Sequence, residues 1–315
     1  MATYIPQYLS LNYNHFGKNI INHLQNTNTL SESHKAMDDT KNIQFSQTSL
    51  QDFKDCKRRF QLKYLMKLAW PAIETQPAKI HERYLQRAAR FHHMVHQNQL
   101  GIQASRLEKL TAEDELLKSW WSNYLIFKNS LEEKNAYYYP ELLLQTSIND
   151  HRLIAKYDLL IIKPSEFATI IDWKTSRKRP KRSWLSKRLQ SRIYPYVIVK
   201  ASAYLNNGVH FKPEQVEMIY WYANFPNEPI NFKYNSEKYD ADHEHLSALI
   251  SEIVQTTDDI FTLTEDYIKC KFCTYRSLCD RGVVAGFFED QEQIQEYSDE
   301  ADLDIIFDQI AEIEF

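Results

Sequence analysis

Glycine is nearly missing from this chain, with five residues in 315. No G-x-x-x-x-G-K-[ST] run occurs, so there is no phosphate loop, and any helicase or ATPase must be a separate partner. No apolar run approaches the length of a membrane span, and the start, Met-Ala-Thr-Tyr-Ile-Pro, has neither a basic nor an apolar signal region. Both absences place the chain in the cytoplasm, with no membrane partner. Cysteine is scarce as well, at four residues. In a reducing compartment these are poor disulfide candidates, and a Cys-x-x-Cys pair is more often a metal or redox site. Lys and Arg are absent from residues 289–315, which hold eleven acids; without that stretch, the formal charge changes from -4 to +7.

What is present is ordinary for a globular chain: 43% hydrophobic and 13% aromatic residues, enough for one large core or two modest ones. Residues 1–43 are rich in Asn, Ser, Thr and His without periodicity and read as an irregular extension. In "SQTSLQDFKDCKRRFQLKYLMKL", apolar residues recur at three- and four-residue steps, which predicts an amphipathic helix with Cys56 on its apolar face. Ser49 and Asp52 resemble its capping box. Further helices are predicted within 80–136. Strand texture follows in "ELLLQTSI", "RLIAKYDLLII" and "FATIIDWKTS", predicting a meander. Next come one or two helices in 182–205, with Pro195 breaking or kinking the run, and a strand in "QVEMIYWYANF". The fold class is α/β or α+β without internal repeats. The expected parts are a helical stretch at 44–136, a sheet core at 137–232, a cysteine-bearing segment at 233–288 and an acidic tail at 289–315.

In "TIIDWKTS" the period of two puts Asp172 and Lys174 on one face of a strand end and Trp173 on the other. A carboxylate can hold a hard divalent cation, and a neighbouring lysine can orient an attacking water and offset developing charge. The bland alternative is a structural ion pair. Asp158, in "AKYDLLII", is a second acid in an apolar strand, costly to bury unless it is partnered. A neighbouring strand would set it against Asp172, and a shared Mg²⁺ or Mn²⁺ would relieve their repulsion. From Lys174 to Arg192 the chain carries nine Lys or Arg and no acid, including Arg177, Lys178, Arg179, Lys181 and Arg182. That run is either a solvated face or a phosphate-contacting track.

Together, Asp158, Asp172-x-Lys174 and Gln190-x-x-x-Tyr194 resemble the PD-(D/E)XK nuclease superfamily, in particular its RecB-like branch. "SQTSLQDFKDCKRRFQLKYL" is similar to that branch's N-terminal segment, and "AARFH" stands where its Gly-x-x-x-His occurs, with Ala88 in place of glycine. Ala155 replaces a second family glycine ahead of Asp158. The resemblance spans residues 46–282 and implies a restriction-endonuclease-like mixed sheet flanked by helices. It implies Asp158, Asp172 and His92 as ligands of Mg²⁺ or Mn²⁺, Lys174 as the group assisting water, and Glu141 as an accessory acid. Gln190 and Tyr194 would contact a DNA strand. The basic run, beginning at Lys174, then reads as a DNA track, with Trp184 and Tyr194 available to stack on bases.

Cys270-x2-Cys273-x5-Cys279 puts three thiols in one short stretch, with no second knuckle or nearby His to complete a local zinc site. The remaining cysteine is Cys56. RecB-like nucleases with an iron-sulfur cluster, such as the AddB nuclease domain and the CRISPR-associated exonuclease, resemble this layout, which implies four cysteine ligands to a 4Fe-4S cluster. The implied activity is DNA hydrolysis at ends, flaps or single strands, in repair, recombination or foreign-DNA processing. One rival is a non-catalytic DNA-binding scaffold; another is a zinc hydrolase built on His92 and His96, although no Glu follows His92. The acidic tail mixes acids with Ile, Leu and Phe, so it is either a docking helix or a cover over the basic run.

Overall fold

A computed structural model describes residues 43–68, 76–256, 261–271 and 273–282. The expected N-terminal extension, apart from Ile43, and the acidic tail lie outside the described residues. Strand β1 (Gln44–Phe45) leads into helix α1 (Gln47–Asp55), α2 (Lys57–Phe60) and a π turn at Gln61–Leu65. Helices α3 (Gln76–Gln99), α4 (Ala104–Glu108) and α5 (Glu115–Ser130) follow. The meander is β2 (Tyr137–Ile148), β3 (His151–Lys163) and β4 (Phe167–Lys174). Helices α6 (Arg182–Leu185) and α7 (Leu189–Ala201) then cross to β5 (Val216–Tyr222), which turns into β6 (Phe225–Lys233). The cysteine segment follows α8 (Ser236–Gln255) and includes α9 (Tyr267–Lys271).

Six strands form one mixed sheet, ordered β1-β3-β4-β5-β6 with β2 along the other side of β3. The β2–β3, β3–β4 and β5–β6 pairs are antiparallel, whereas β4–β5 is parallel because α6 and α7 intervene. Alternation along the strands feeds two cores. Ala168, Ile170, Met218 and Tyr220 pack with α1, α7 and α8, while Ile171, Trp173 and Trp221 pack with α3 and α5.

The alternation slips at one level. On β3, Leu153, Ala155 and Tyr157 join the first core; beyond Asp158, Leu160 and Ile162 join that same core and Leu159 and Ile161 the second. The facing therefore shifts by one residue at Asp158. Opposite it, between the pairs Pro140↔Leu159 and Leu142↔Tyr157, Glu141 has φ +52°, a left-handed backbone that a side chain rarely adopts. Here β3 also exchanges its β1 partner, at Arg152–Leu153, for β4, at 159–163.

Several expectations need correction. The helix expected across Cys56 is two helices, because Cys56 is extended (φ -162°, ψ 109°), closing α1 and opening α2. The capping box is Ser46 with Ser49, not Ser49 with Asp52. Asp52 is instead buried, bound by Arg59 at 2.8 Å, Tyr64 at 2.8 Å and Lys63 at 3.3 Å. Strands β1 and β6 had no sequence signature: β1 has two residues, and β6, with Pro226 and Pro229, is a polar edge strand. Pro195 lies inside α7 rather than ending it.

Candidate active site

β4 ends in the first core with Asp172 only 3% exposed. Its neighbours arrive from two directions. Gln190, in the first turn of α7, donates from Nε2 to Asp172 Oδ1 at 2.6 Å. Lys174, two residues along the strand, places Nζ 3.0 Å from Asp172 Oδ2 and donates to Gln190 Oε1 at 3.3 Å. The ammonium also lies 5.8 Å from the centre of the Tyr220 ring, which belongs to the residue paired with Asp172 on β5. Burial, then the charge of Asp172, pushes the Tyr220 phenol well above its usual pKa. Tyr220 therefore stays neutral, and its hydroxyl bonds Ser191 Oγ at 2.8 Å.

Asp158 stands one residue beyond the paired positions Leu159 and Ile171, at the level of Asp172. Its Oδ2 accepts the backbone N–H of Trp173 at 2.8 Å and faces His92 Nδ1 at 3.8 Å. The slip in β3 therefore serves a purpose: it lets a carboxylate turn to the β4 end and towards α3. Glu141, at the same level of β2, is bound by Lys156 at 2.7 Å.

The donor set of two carboxylates and one imidazole suits a hard divalent cation of the Mg²⁺ or Mn²⁺ kind. Among the described residues, no three His, Cys, Asp or Glu side chains are already drawn together as a metal site. The fit therefore rests on donor chemistry and on a buried acid, Asp172, that cationic and amide groups already stabilise.

The expected nucleic-acid residues separate into two groups. Arg177, Lys178, Arg179, Lys181 and Arg182 are exposed. Arg177 lies over the Tyr84 ring at 4.7 Å and Arg182 over the Phe232 ring at 4.6 Å, and Arg179 donates to Glu228 O at 3.0 Å. Within the basic run, Arg188 is buried beside the Trp184 ring, and Arg192 pairs with Asp242 at 2.7 Å. These two hold the fold together and are not part of a surface track. Tyr194 also corrects the expectation of base stacking: its ring is buried against Tyr157, and its carbonyl accepts the Tyr157 hydroxyl at 2.9 Å. Gln190, 2% exposed, faces Asp172 and Lys174 rather than solvent.

Sequence reasoning missed Asn224 and Tyr84. Asn224 Nδ2 donates to the carbonyls of Thr175 and Ser176, each at 2.9 Å, and its Oδ1 accepts from Trp120 Nε1 at 2.8 Å. The Tyr84 hydroxyl donates to the same Thr175 carbonyl. The backbone leaving Lys174 is clamped at the point where the basic run begins.

At the C-terminal end of α1, which Cys56 caps, Cys56, Cys270, Cys273 and Cys279 line one pocket. Burial raises the thiol pKa of Cys270 and Cys273 and pushes Cys279 up to about 11, and neighbouring thiols add to each shift. The four thiols line the same poorly solvated pocket but, like the acids of the active site, are not drawn together as a metal site among the described residues, so the fit rests on donor chemistry. That donor set fits a thiolate-bound metal centre.

A helix-flanked mixed sheet with acids and a lysine at one strand end defines a restriction-endonuclease-like fold. The chain belongs to the PD-(D/E)XK nuclease superfamily, whose sequence model matches residues 44–280. No curated protein matches it. Among solved structures it is similar to a candidate exonuclease from Eubacterium rectale at 11% identity, covering 73% of this chain and 86% of that one, with TM-score 0.42. It is also similar to SSO0001 at 13% identity, covering 84% and 95%, with TM-score 0.33. These superpositions are loose, and the assignment rests on the family match. The chain is thus a nuclease of a superfamily whose members typically use Mg²⁺ or Mn²⁺, and DNA is the substrate class the family implies.

Proposed function

We propose that this chain is a divalent-metal-dependent DNA nuclease of the RecB-like kind, cutting phosphodiester bonds at ends, flaps or single strands in repair, recombination or foreign-DNA processing. The observation that carries the reading is the joining of Asp172, Lys174 and Gln190 into one hydrogen-bonded cluster beside Asp158 and His92. Asp158, Asp172 and His92 are the residues to hold the metal, which when bound supplies positive charge to the phosphate oxygens and lowers the pKa of water. Lys174 orients the water and offsets charge on the scissile phosphate. Gln190 and Tyr194 act from beneath: Gln190 fixes both charged groups, and Tyr194 packs the helix that carries it. Glu141 is an accessory acid whose charge Lys156 compensates. Arg177, Lys178, Arg179, Lys181 and Arg182 form the backbone-contacting track.

Under the same proposal, Cys56, Cys270, Cys273 and Cys279 hold a 4Fe-4S cluster, the enzyme works in the cytoplasm, and a separate helicase or ATPase opens duplexes. The test is incubation of the purified protein with end-labelled single- and double-stranded DNA and Mn²⁺, with Lys174→Ala as the control. Metal-dependent cleavage that the variant lacks supports the reading, whereas DNA binding without cleavage assigns the chain to a scaffolding role.

A further inference from the structure

Three guanidinium groups line the four-cysteine pocket: Arg59, Arg276 and Arg281. Arg59 is buried and fixed by two acids of α1, Asp52 and Asp55, each at 2.8 Å. Burial acts to lower its pKa, but the charges of Asp52, Asp55 and Cys273 together raise it, so it is a permanent cation beside Cys273. Arg276 donates from Nη1 to the Cys273 carbonyl at 3.0 Å. Arg281 is held by an aromatic ring and a carbonyl instead of by acids. It lies 3.8 Å from the Tyr267 ring centre and donates from Nη2 to the Thr264 carbonyl at 3.3 Å, while its Nη1 is buried with no hydrogen-bond partner among the described residues. A buried guanidinium donor without an acceptor is costly, and this one belongs to a side chain on the wall of the sulfur-lined pocket.

We infer that this arginine collar sets the redox poise of the group bound by the four cysteines, with Arg281 Nη1 as the hydrogen-bond donor to its sulfur atoms. The inference rests on the iron-sulfur reading given above. An iron-sulfur core bound by four thiolates is a net anion, and one-electron reduction adds further negative charge without making or breaking a bond to the protein. Nearby fixed cations and N–H donors favour the reduced form and raise the potential. Arg59 and Arg276 supply charge from rigid positions. Arg281 stands outside the Asp52–Arg59–Asp55 network, so it can be changed without leaving buried acids unpaired.

The test is an anaerobic dithionite titration followed by electron paramagnetic resonance, with iron counted per chain, on the full-length protein and on Arg281→Gln, Arg281→Lys and the remote surface control Lys118→Gln. The expected result is a reduction equilibrium about tenfold less favourable in Arg281→Gln, ~59 mV in midpoint for one electron. Arg281→Lys should fall between that variant and the parent, and Lys118→Gln should match the parent. If Arg281→Gln keeps its iron and its midpoint equals that of the parent, the inference is overturned while the cluster stands. If Arg281→Gln loses its iron, recovery of iron by Arg281→Lys supports the charge role, and failure to recover counts against it. A parent protein that holds zinc or no iron overturns the cluster reading and this inference with it.

Discussion

Lys174 is held by three neighbours that differ in kind: a buried carboxylate, an amide oxygen and an aromatic face. Such a site restricts a flexible side chain to one position, which is what a group acting on a single phosphate needs. Replacing it with alanine should lower the rate of cleavage by ~10²–10⁴-fold, the range for loss of a positioned polar catalyst, while DNA binding in a gel-shift assay stays near that of the parent. Equal loss of binding and cleavage would instead mark Lys174 as part of the DNA track. Gln190→Leu removes the donor to Asp172 Oδ1 while Lys174 stays at Oδ2, and the loss of that buried hydrogen bond should cost about 1–3 kcal/mol in urea unfolding as well as slowing cleavage. Asp172, Lys174 and Gln190 were legible in the sequence because strand alternation and a short motif place them. Asn224 and Tyr84 were not, since they reach Thr175 across 49 and 91 residues and leave no local pattern. The partner that closes off Tyr194 is also remote in the chain, Tyr157 lying 37 residues away.

At the scale of elements, the helices that flank the site depend on specific ends. Asp114 caps α5 by accepting the Leu117 N–H at 3.0 Å, and Arg87 of α3 binds it at 2.6 Å. This one side chain both starts α5 and joins it to the helix that carries His92. Burial tends to raise the Asp114 pKa, but the hydrogen bonds from Arg87 and Leu117 and the charges of Arg87 and Arg90 together lower it below the ordinary 3.8. A carboxyl with a depressed folded-state pKa stabilises fully above its unfolded pKa and loses that contribution as pH falls through the folded one. Asp114→Ala should therefore cost about 1 kcal/mol at neutral pH, and the difference from the parent should shrink below about pH 4. A gap that persists in acid would show that packing, not charge, is lost. Long periodic elements such as α3, β3 and β4 were readable from spacing alone. The break at Cys56 was not: its apolar spacing continues that of a helix, whereas the extended backbone there is set by contacts with segments far along the chain, among them the Arg58 N–H bonded to the Thr262 carbonyl at 3.2 Å. β1 was unreadable for the same reason, because two residues become a strand only when β3 is there to receive them.

Across the whole molecule, the cysteine pocket joins the two ends of the described chain. Cys56 lies 214 residues before Cys270, and strands β2 to β6 lie between them in the chain. Protein contacts already bring these ends together: Tyr275 donates to the Leu68 carbonyl at 2.8 Å, and Lys269 reaches Asp55 at 3.0 Å. A thiolate-bound centre would add a cross-link over that loop, and the chain-entropy relation for cross-links puts the gain at about 5 kcal/mol. Such a gain comes from restricting the unfolded chain rather than from new folded contacts, so it should stabilise the active-site sheet even though the cysteines lie outside that site. Cys56→Ala should then lose iron and its brown absorbance, lower the melting temperature, and reduce cleavage in proportion to the unfolded fraction at the assay temperature. Lowering the temperature should restore activity per folded molecule, because the carboxylates and lysine of the active site are ordered by bonds to Trp173, to Gln190 and to each other. A variant that keeps full iron and its melting temperature would remove Cys56 from the ligand set. One that folds normally but never cleaves would show that the centre takes part in the reaction and does more than hold the chain closed.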